Sequence, residues 1–258
     1  MINHVKATLK AGKVALGVST SVMHPDSIRT ISNSGFDWVL YDTEHGPWSI
    51  ETVSDMIQRT SDATASSIIR VVWNDANAIK KALDTGAFGL IVPWISNREM
   101  AEAAVRHCRY PPGGLRGCAP GRPARAWGVS GLEYMEIAND EILIAIQIER
   151  EEAIEVIEDI VSVEGIDATW FGPTDFSNSM GLRGQRFHPK VQKAMDKMIE
   201  ACIDAGVAPG IAGGAGVREF GIGYVSKLIE DGFKFINVGG DLNILRLGCE
   251  EFIKKSKQ

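Results

Sequence analysis

Short apolar runs recur along the chain at 14–20, 38–43, 66–72, 89–95, 142–149, 167–173, 208–212 and 234–239, each followed by a turn and a segment of helical period. Near-continuous Val, Ile and Leu, instead of strict alternation, predicts strands buried on both faces of a parallel sheet. After His188-Pro189, residues Val191, Met195, Met198, Cys202 and Ala205 form one apolar stripe suited to covering such a sheet, and Ile154, Ile157 and Val161 form another. Pro25 and Pro189 stand where a helix can begin without losing a hydrogen bond. Gly35, Gly86, Gly165, Gly206 and Gly232 each separate a helical stretch from the next strand, where a left-handed cap belongs.

Eight βα units allow a closed barrel or an open doubly wound sheet. A length of 258 residues favours the (β/α)8 TIM barrel, and with no Ser/Gly/Pro-rich linker, residues 1–258 read as a single domain. The rhythm breaks at 110–141, which carries Pro111-Pro112-Gly113-Gly114, Arg116, Arg122 and Arg125. An insertion after the fourth strand, on the catalytic side, predicts a substrate-covering loop.

Composition narrows the function. With 45% hydrophobic and 23% charged residues the chain is an ordinary globular one, and its net charge of −6 argues against nucleic-acid binding, which needs a basic surface. Small-molecule chemistry fits better. Cys108, Cys118, Cys202 and Cys249 contain no C-x-x-C pair and predict free thiols in a reducing compartment. Without a leader pattern or a run of about 18 apolar residues, the expected location is cytoplasmic, with no membrane partner.

In a barrel the C-terminal strand ends converge, so distant residues can be read together. Glu149 closes strand five and Asp175 follows strand six. A carboxylate there is costly unless it binds a cation or does chemistry, and two with open positions suit a hard divalent ion. The alternatives are a basic partner for Glu149 and a turn cap for Asp175. His45 is the one histidine at an expected strand end; Asp42, three residues earlier, could orient its ring as a general base. Arg70 ends strand three and would make a structural ion pair or stabilise developing negative charge. Gln147 shares a strand side with Glu149. Gly210-Ile211-Ala212-Gly213-Gly214-Ala215-Gly216 and Gly239-Gly240-Asp241 are similar to phosphate-cradling loops but match neither fingerprint, leaving loop flexibility as the other reading. Lys80 and Lys81 fall in a helix, which disfavours a Schiff-base mechanism.

Gly35-Phe36-Asp37-Trp38, Asp42-Thr43-Glu44-His45, Arg70, Arg109-Tyr110-Pro111-Pro112-Gly113-Gly114-Leu115-Arg116-Gly117, Gln147-Ile148-Glu149, Phe171-Gly172-Pro173-Thr174-Asp175-Phe176-Ser177 and His188-Pro189 occur in order across nearly the whole chain. Together they resemble the HpcH/HpaI aldolase family. The resemblance implies a (β/α)8 barrel and class II, metal-dependent cleavage of a 4-hydroxy-2-oxo acid to pyruvate and an aldehyde through a metal-stabilised enolate. It implies Glu149 and Asp175 as ligands of Mg2+ or Mn2+, with Co2+ a further candidate. Arg70 would stabilise the enolate, and His45 with Asp42 would be the acid/base. Gly172, Thr174 and Asp175 would hold the carboxylate, and Gln147 would support the site. Cys118 and Ala212 lie where aldehyde-facing side chains are expected, and the segment after strand seven is richer in glycine than the family pattern. The resemblance also implies a homohexamer, a trimer of dimers with the C-terminal helix exchanged between neighbours; packing of that amphipathic helix on its own barrel is the alternative. Oxaloacetate decarboxylation or macrophomate synthase-like chemistry would use the same enolate. A non-catalytic small-acid-binding barrel is the reading from another class.

Overall fold

The computed structural model describes residues 3–257. Helix α1 (His4–Lys10) precedes β1 (Ala15–Thr20), α2 (Pro25–Ser32), β2 (Trp38–Asp42), α3 (Ile50–Arg59), β3 (Ser66–Arg70), α4 (Ala76–Leu83), β4 (Gly89–Val92) and α5 (Arg98–Cys108). The chain continues through α6 (Gly121–Trp127), α7 (Gly131–Glu141), β5 (Leu143–Ile148), α8 (Glu151–Glu155), α9 (Ile157–Val161), β6 (Ala168–Phe171) and α10 (Pro173–Ser179). It ends with α11 (Pro189–Ala205), β7 (Gly210–Ala212), α12 (Gly214–Phe220), α13 (Gly223–Glu230), β8 (Phe235–Gly240) and α14 (Asp241–Ser256). Each strand pairs in parallel with the next, and β8 closes on β1. The eight strands read from the apolar runs are therefore all present, in a closed (β/α)8 barrel.

Side-chain alternation decides what faces the axis. Trp38, Leu40, Ile68, Leu143, Ala145, Ala168 and Phe235 form the interior cluster, while Val39, Tyr41, Ile69, Ile144 and Ile146 pack outward under the helices. Continuing the inward parity toward the C-terminal ends reaches Asp42, Arg70, Gln147 and Glu149. Gly17 is required lower down: a Cβ there would stand 2.0 Å from the Trp38 ring, which stacks on Phe235 with centroids 4.3 Å apart. Below that layer α1 closes the barrel, burying Val5 and Leu9 and setting Lys6 Nζ 3.0 Å from Asp167.

The helix signals hold as read. His24 and His188 cap α2 and α11 through Nδ1, ahead of their prolines, and all five cap glycines have positive φ. Most strands are shorter than their apolar runs, and at β4 and β7 proline is the reason. Pro93 has no N–H for the ladder, and Trp94 turns to φ 62 as its amide leaves the sheet for Glu149. Pro209 likewise confines β7 to three residues.

The segment 110–141 departs from expectation, because it does not cover the catalytic end. The eleven residues of α5 carry the chain about 16 Å, to the opposite end of the barrel, before the segment begins. There Trp127 Nε1 donates to the Gly86 carbonyl at 2.9 Å and its ring stacks on Phe88, both just ahead of β4. Arg116 is buried, pairing with Asp84 at 2.9 Å and lying over the Tyr110 ring, while Arg125 donates to Gln58 of α3. Arg116 and Arg125 are thus engaged in structural contacts.

Candidate active site

At the C-terminal mouth a cleft of about 390 Å³ is lined by Asp42, His45, Arg70, Thr174, Asp175 and Ala212, with Asn237 and Arg218 on its far side. Gln147 and Glu149 stand directly behind it, 1% and 3% exposed. The sequence-expected residues thus gather at one end of the barrel, except Cys118, which is exposed on the 110–141 segment and does not line this chain's cleft.

The β2–β3 register places Asp42 opposite Arg70. Arg70 Nε donates to Asp42 Oδ1 at 2.8 Å and Nη2 donates to Oδ2. Burial alone would raise the Asp42 pKa, but hydrogen bonds and charge from Arg70 outweigh it and hold the carboxyl below its ordinary range. Asp42 Oδ1 also accepts the backbone amides of Glu44 and His45 at 3.1 and 3.2 Å, forming the tight turn after β2. Gly46 completes that turn, since a Cβ there would meet the Asp42 carbonyl at 2.2 Å. The expected role of Asp42 toward the His45 ring is therefore not what the geometry shows. Its carboxylate fixes His45 through the main chain, while the ring, 65% exposed, has Nε2 3.9 Å from Glu44.

Glu44 is the residue that sequence reasoning left without a role. It is buried at the side chain, accepts Trp94 Nε1 at 3.1 Å and sets Oε2 3.0 Å from Arg70 Nη1, a charge contact without hydrogen-bond geometry. Burial raises its pKa despite Arg70. Its signal was available as a third acidic or basic position within four residues of a strand end. Trp94, whose amide donates to Glu149 Oε1 at 2.8 Å, had no such signal.

Glu149 accepts Gln147 Nε2 on its other oxygen, and Gln147 Oε1 accepts Arg70 Nη1 at 3.4 Å. Gln147 therefore ties the carboxylate to the guanidinium. Burial, then the charges of Glu44 and Asp175, push Glu149 up to about 7. Gly172 approaches closely: a Cβ there would lie 3.3 Å from both Gln147 Nε2 and Glu149 Cβ. Pro173 then starts α10, which brings Thr174 and Asp175 to the cleft. Among the described residues no set of three or more His, Cys, Asp or Glu side chains forms a metal cage. Glu149 and Asp175 nonetheless fit a divalent cation, because like-charge crowding around a buried carboxylate is what such an ion relieves.

The glycine-rich turns serve packing. A Cβ on Gly214 would stand 2.5 Å from Gly239 Cα, so the β7 and β8 turns lie backbone to backbone. Asp241 accepts the Ser21 and Val22 amides at 2.7 and 2.9 Å, tying α14 to the turn after β1.

The sequence profile of the HpcH/HpaI aldolase/citrate lyase family matches residues 17–246, and this site sits inside that span. The chain belongs to this family. A 4-hydroxy-2-oxo-heptane-1,7-dioate aldolase of Shigella sonnei is 36% identical over 97% of this chain and 93% of its own. A solved HpcH/HpaI aldolase/citrate lyase family protein of Burkholderia cenocepacia superposes with a TM-score of 0.88 at 28% identity, covering 99% of this chain and all of that one. Macrophomate synthase superposes at 0.79 with 25% identity, over 98% and 89%. This chain is therefore a carbon–carbon lyase of the aldolase type, and its family generally depends on a divalent cation.

Proposed function

We propose that this chain cleaves a 4-hydroxy-2-oxo acid to pyruvate and an aldehyde, with Glu149 and Asp175 holding Mg2+ or Mn2+, or alternatively Co2+. The observation that carries this reading is that Asp175, Arg70 and His45 line one cleft at the barrel mouth, with the buried Glu149 directly behind it. The cation, when bound, supplies Lewis-acid stabilisation of negative charge at the substrate's keto oxygen. The chain supplies the rest. His45, exposed at the cleft edge, takes the proton of the 4-hydroxyl as the bond between C3 and C4 breaks; the electron pair passes to C3 and is delocalised toward the keto oxygen as an enolate. Arg70, held rigid by Asp42, offers that oxygen a preorganised positive charge. Gly172 and the amides of Thr174 and Asp175 hold the substrate carboxylate, Gln147 keeps Glu149 oriented, and Ala212 walls the aldehyde side. A proton returned to C3 completes pyruvate. The cleft lining contains no lysine among the described residues, in keeping with this route over a Schiff base.

Cleavage of 4-hydroxy-2-oxoheptanedioate, followed as pyruvate release, tests the reading. Release with added Mg2+ is expected, and loss in His45→Ala; unchanged turnover in that variant would remove His45 from the acid/base role, and binding of the acid without release by the wild-type protein would instead support a barrel that only binds small acids. The likeness to macrophomate synthase favours a second reading, oxaloacetate decarboxylation or related chemistry through the same enolate. A higher kcat/KM on oxaloacetate than on any 4-hydroxy-2-oxo acid would select it.

The same reading takes residues 1–258 as one cytoplasmic barrel domain in a homohexamer. In support, α14 leaves Leu242, Leu245, Phe252 and Ile253 at least half exposed, so its apolar side is not spent on its own barrel. No helix among the described residues is long and apolar enough to cross a membrane.

A further inference from the structure

Trp94 and Arg183 are the residues other than glycine that take a positive φ among the described residues, at 62° and 44°. A Cβ disfavours that backbone region, which glycine enters freely. A large side chain is thus kept where its own backbone opposes it. The main chain there is fixed by β5: Val92 pairs with Ile146, the Trp94 amide donates to Glu149 Oε1 at 2.8 Å, and the Ile95 amide donates to the Gln147 carbonyl at 3.3 Å. Any residue except proline would supply that amide to Glu149, so it does not account for the indole.

The indole reaches a different carboxylate. Trp94 Nε1 donates to Glu44 Oε1 at 3.1 Å, and Glu44 Oε2 stands 3.0 Å from Arg70 Nη1. Arg70 Nη1 also donates to Gln147 Oε1 at 3.4 Å, Gln147 Nε2 donates to Glu149, and Glu149 accepts the Trp94 amide. Five residues from the ends of β2, β3, β4 and β5 therefore close a ring of contacts that holds both a carboxylate of the cation site and the guanidinium. The indole is itself packed, with the Arg150 guanidinium 5.5 Å from its ring centroid and the Trp73 ring 5.7 Å away. Glu44 is the weak point of the ring: its side chain is buried, Oε2 has no hydrogen-bond partner, and Trp94 Nε1 is its one donor among the described residues.

We propose that the Trp94 side chain is a positioning residue, which restrains Glu44 so that the Arg70 guanidinium stays available to the enolate instead of being taken up by a second carboxylate. The proposal rests on the enolate reading of the cleft. With the indole holding one oxygen, Glu44 meets Arg70 through the other alone. Released from the indole, it is free to turn both oxygens onto the guanidinium, the geometry in which a carboxylate binds arginine most strongly. That would draw off the charge the enolate needs. Because this charge is called on only as the enolate forms, the effect falls on kcat and leaves KM in place.

Exchange of the pyruvate methyl protons in D2O with Mg2+ reads enolate formation without any aldehyde. W94F keeps the backbone amide and a ring but removes the N–H. It is expected to slow exchange at saturating pyruvate about tenfold. The KM for pyruvate and the Mg2+ affinity from calorimetry should stay within about twofold, because the amide still holds Glu149. In an E44Q background the same change should alter the rate by less than about twofold, since the indole acts through the Glu44 carboxylate. Should W94F fail to fold, W94G, which removes the cost of the positive φ, carries the same expectations. An unchanged rate, a loss of Mg2+ affinity that matches the loss of rate, or an equal loss in the E44Q background overturns the proposal while wild-type exchange leaves the enolate reading intact. No exchange in the wild-type protein sinks that reading, and the role of Trp94 with it.

Discussion

Asp42 lies opposite Arg70 across β2 and β3 and takes the guanidinium through two N–H groups, so that the pair is a single charged unit at the cleft floor. Asp42→Asn is expected to lower kcat/KM about 10²-fold by loosening Arg70. Because both residues act through one contact, the Asp42→Asn/Arg70→Lys double variant should lose little more than the worse single variant. Steady-state kinetics over the four proteins check this. Full additivity would place the action of Asp42 elsewhere, for instance on the His45 ring.

Glu149 ionises near 4.5 in the unfolded chain and at about 7 in the folded one, raised first by burial and then by Glu44 and Asp175. Between those values the native protein holds a proton that the unfolded chain releases. This group therefore makes the cation-free protein lose stability as pH rises from about 4.5 to about 7. A bound cation must displace the proton, so Mg2+ affinity should climb about tenfold per pH unit below about 7 and level off above it. Calorimetry across roughly pH 5.5 to 8 tests the slope; a flat profile would remove Glu149 from the ligand set.

Gly172 is the position where one added carbon should reach the cation site without unfolding the barrel. Gly172→Ala puts a methyl 3.3 Å from the Glu149 Cβ and the Gln147 amide, so one of them must shift. Mg2+ affinity is expected to fall about tenfold with little change in Tm, as for other groups that orient a metal ligand. Unaltered affinity would show that Glu149 and Gln147 can give way freely.

The barrel was legible because buried parallel strands write themselves as unbroken apolar runs, and because Pro25, Pro189 and the cap glycines mark helix ends. Asp42, Arg70, Gln147 and Glu149 were legible for the same reason, as polar residues ending such runs. What the pattern could not show is which neighbour each would choose. Asp42 is three residues from His45 in sequence, yet strand register gives its carboxylate to Arg70. The location of 110–141 was lost because α5 reads as one more helix in the rhythm. Only its direction through space puts Arg116 and Trp127 at the end away from the site. The contact of Trp94 with Glu149 was invisible because a backbone amide makes it.

Lys6 and Asp167 test whether the two ends of the barrel are independent. Their contact is 3.0 Å with side chains 9% and 11% exposed, and Lys6 Nζ also donates to the Ile142 carbonyl at 2.9 Å. Lys6→Met strands a buried carboxylate and should cost about 3 kcal/mol. The Tm should fall by several degrees while kcat/KM stays within about twofold. A selective loss of activity at unchanged Tm would contradict the separation of plug from site.

The most direct measurement is proton NMR of the pyruvate methyl signal in D2O with the enzyme alone, since loss of that signal reports the enolate without reference to any aldehyde. Exchange is expected with Mg2+, and should vanish in EDTA and in Glu149→Gln. It should be slowed strongly in Arg70→Lys. Exchange that proceeds at the same rate in EDTA, or that survives in Glu149→Gln, would contradict a cation-dependent enolate at Glu149 and Asp175.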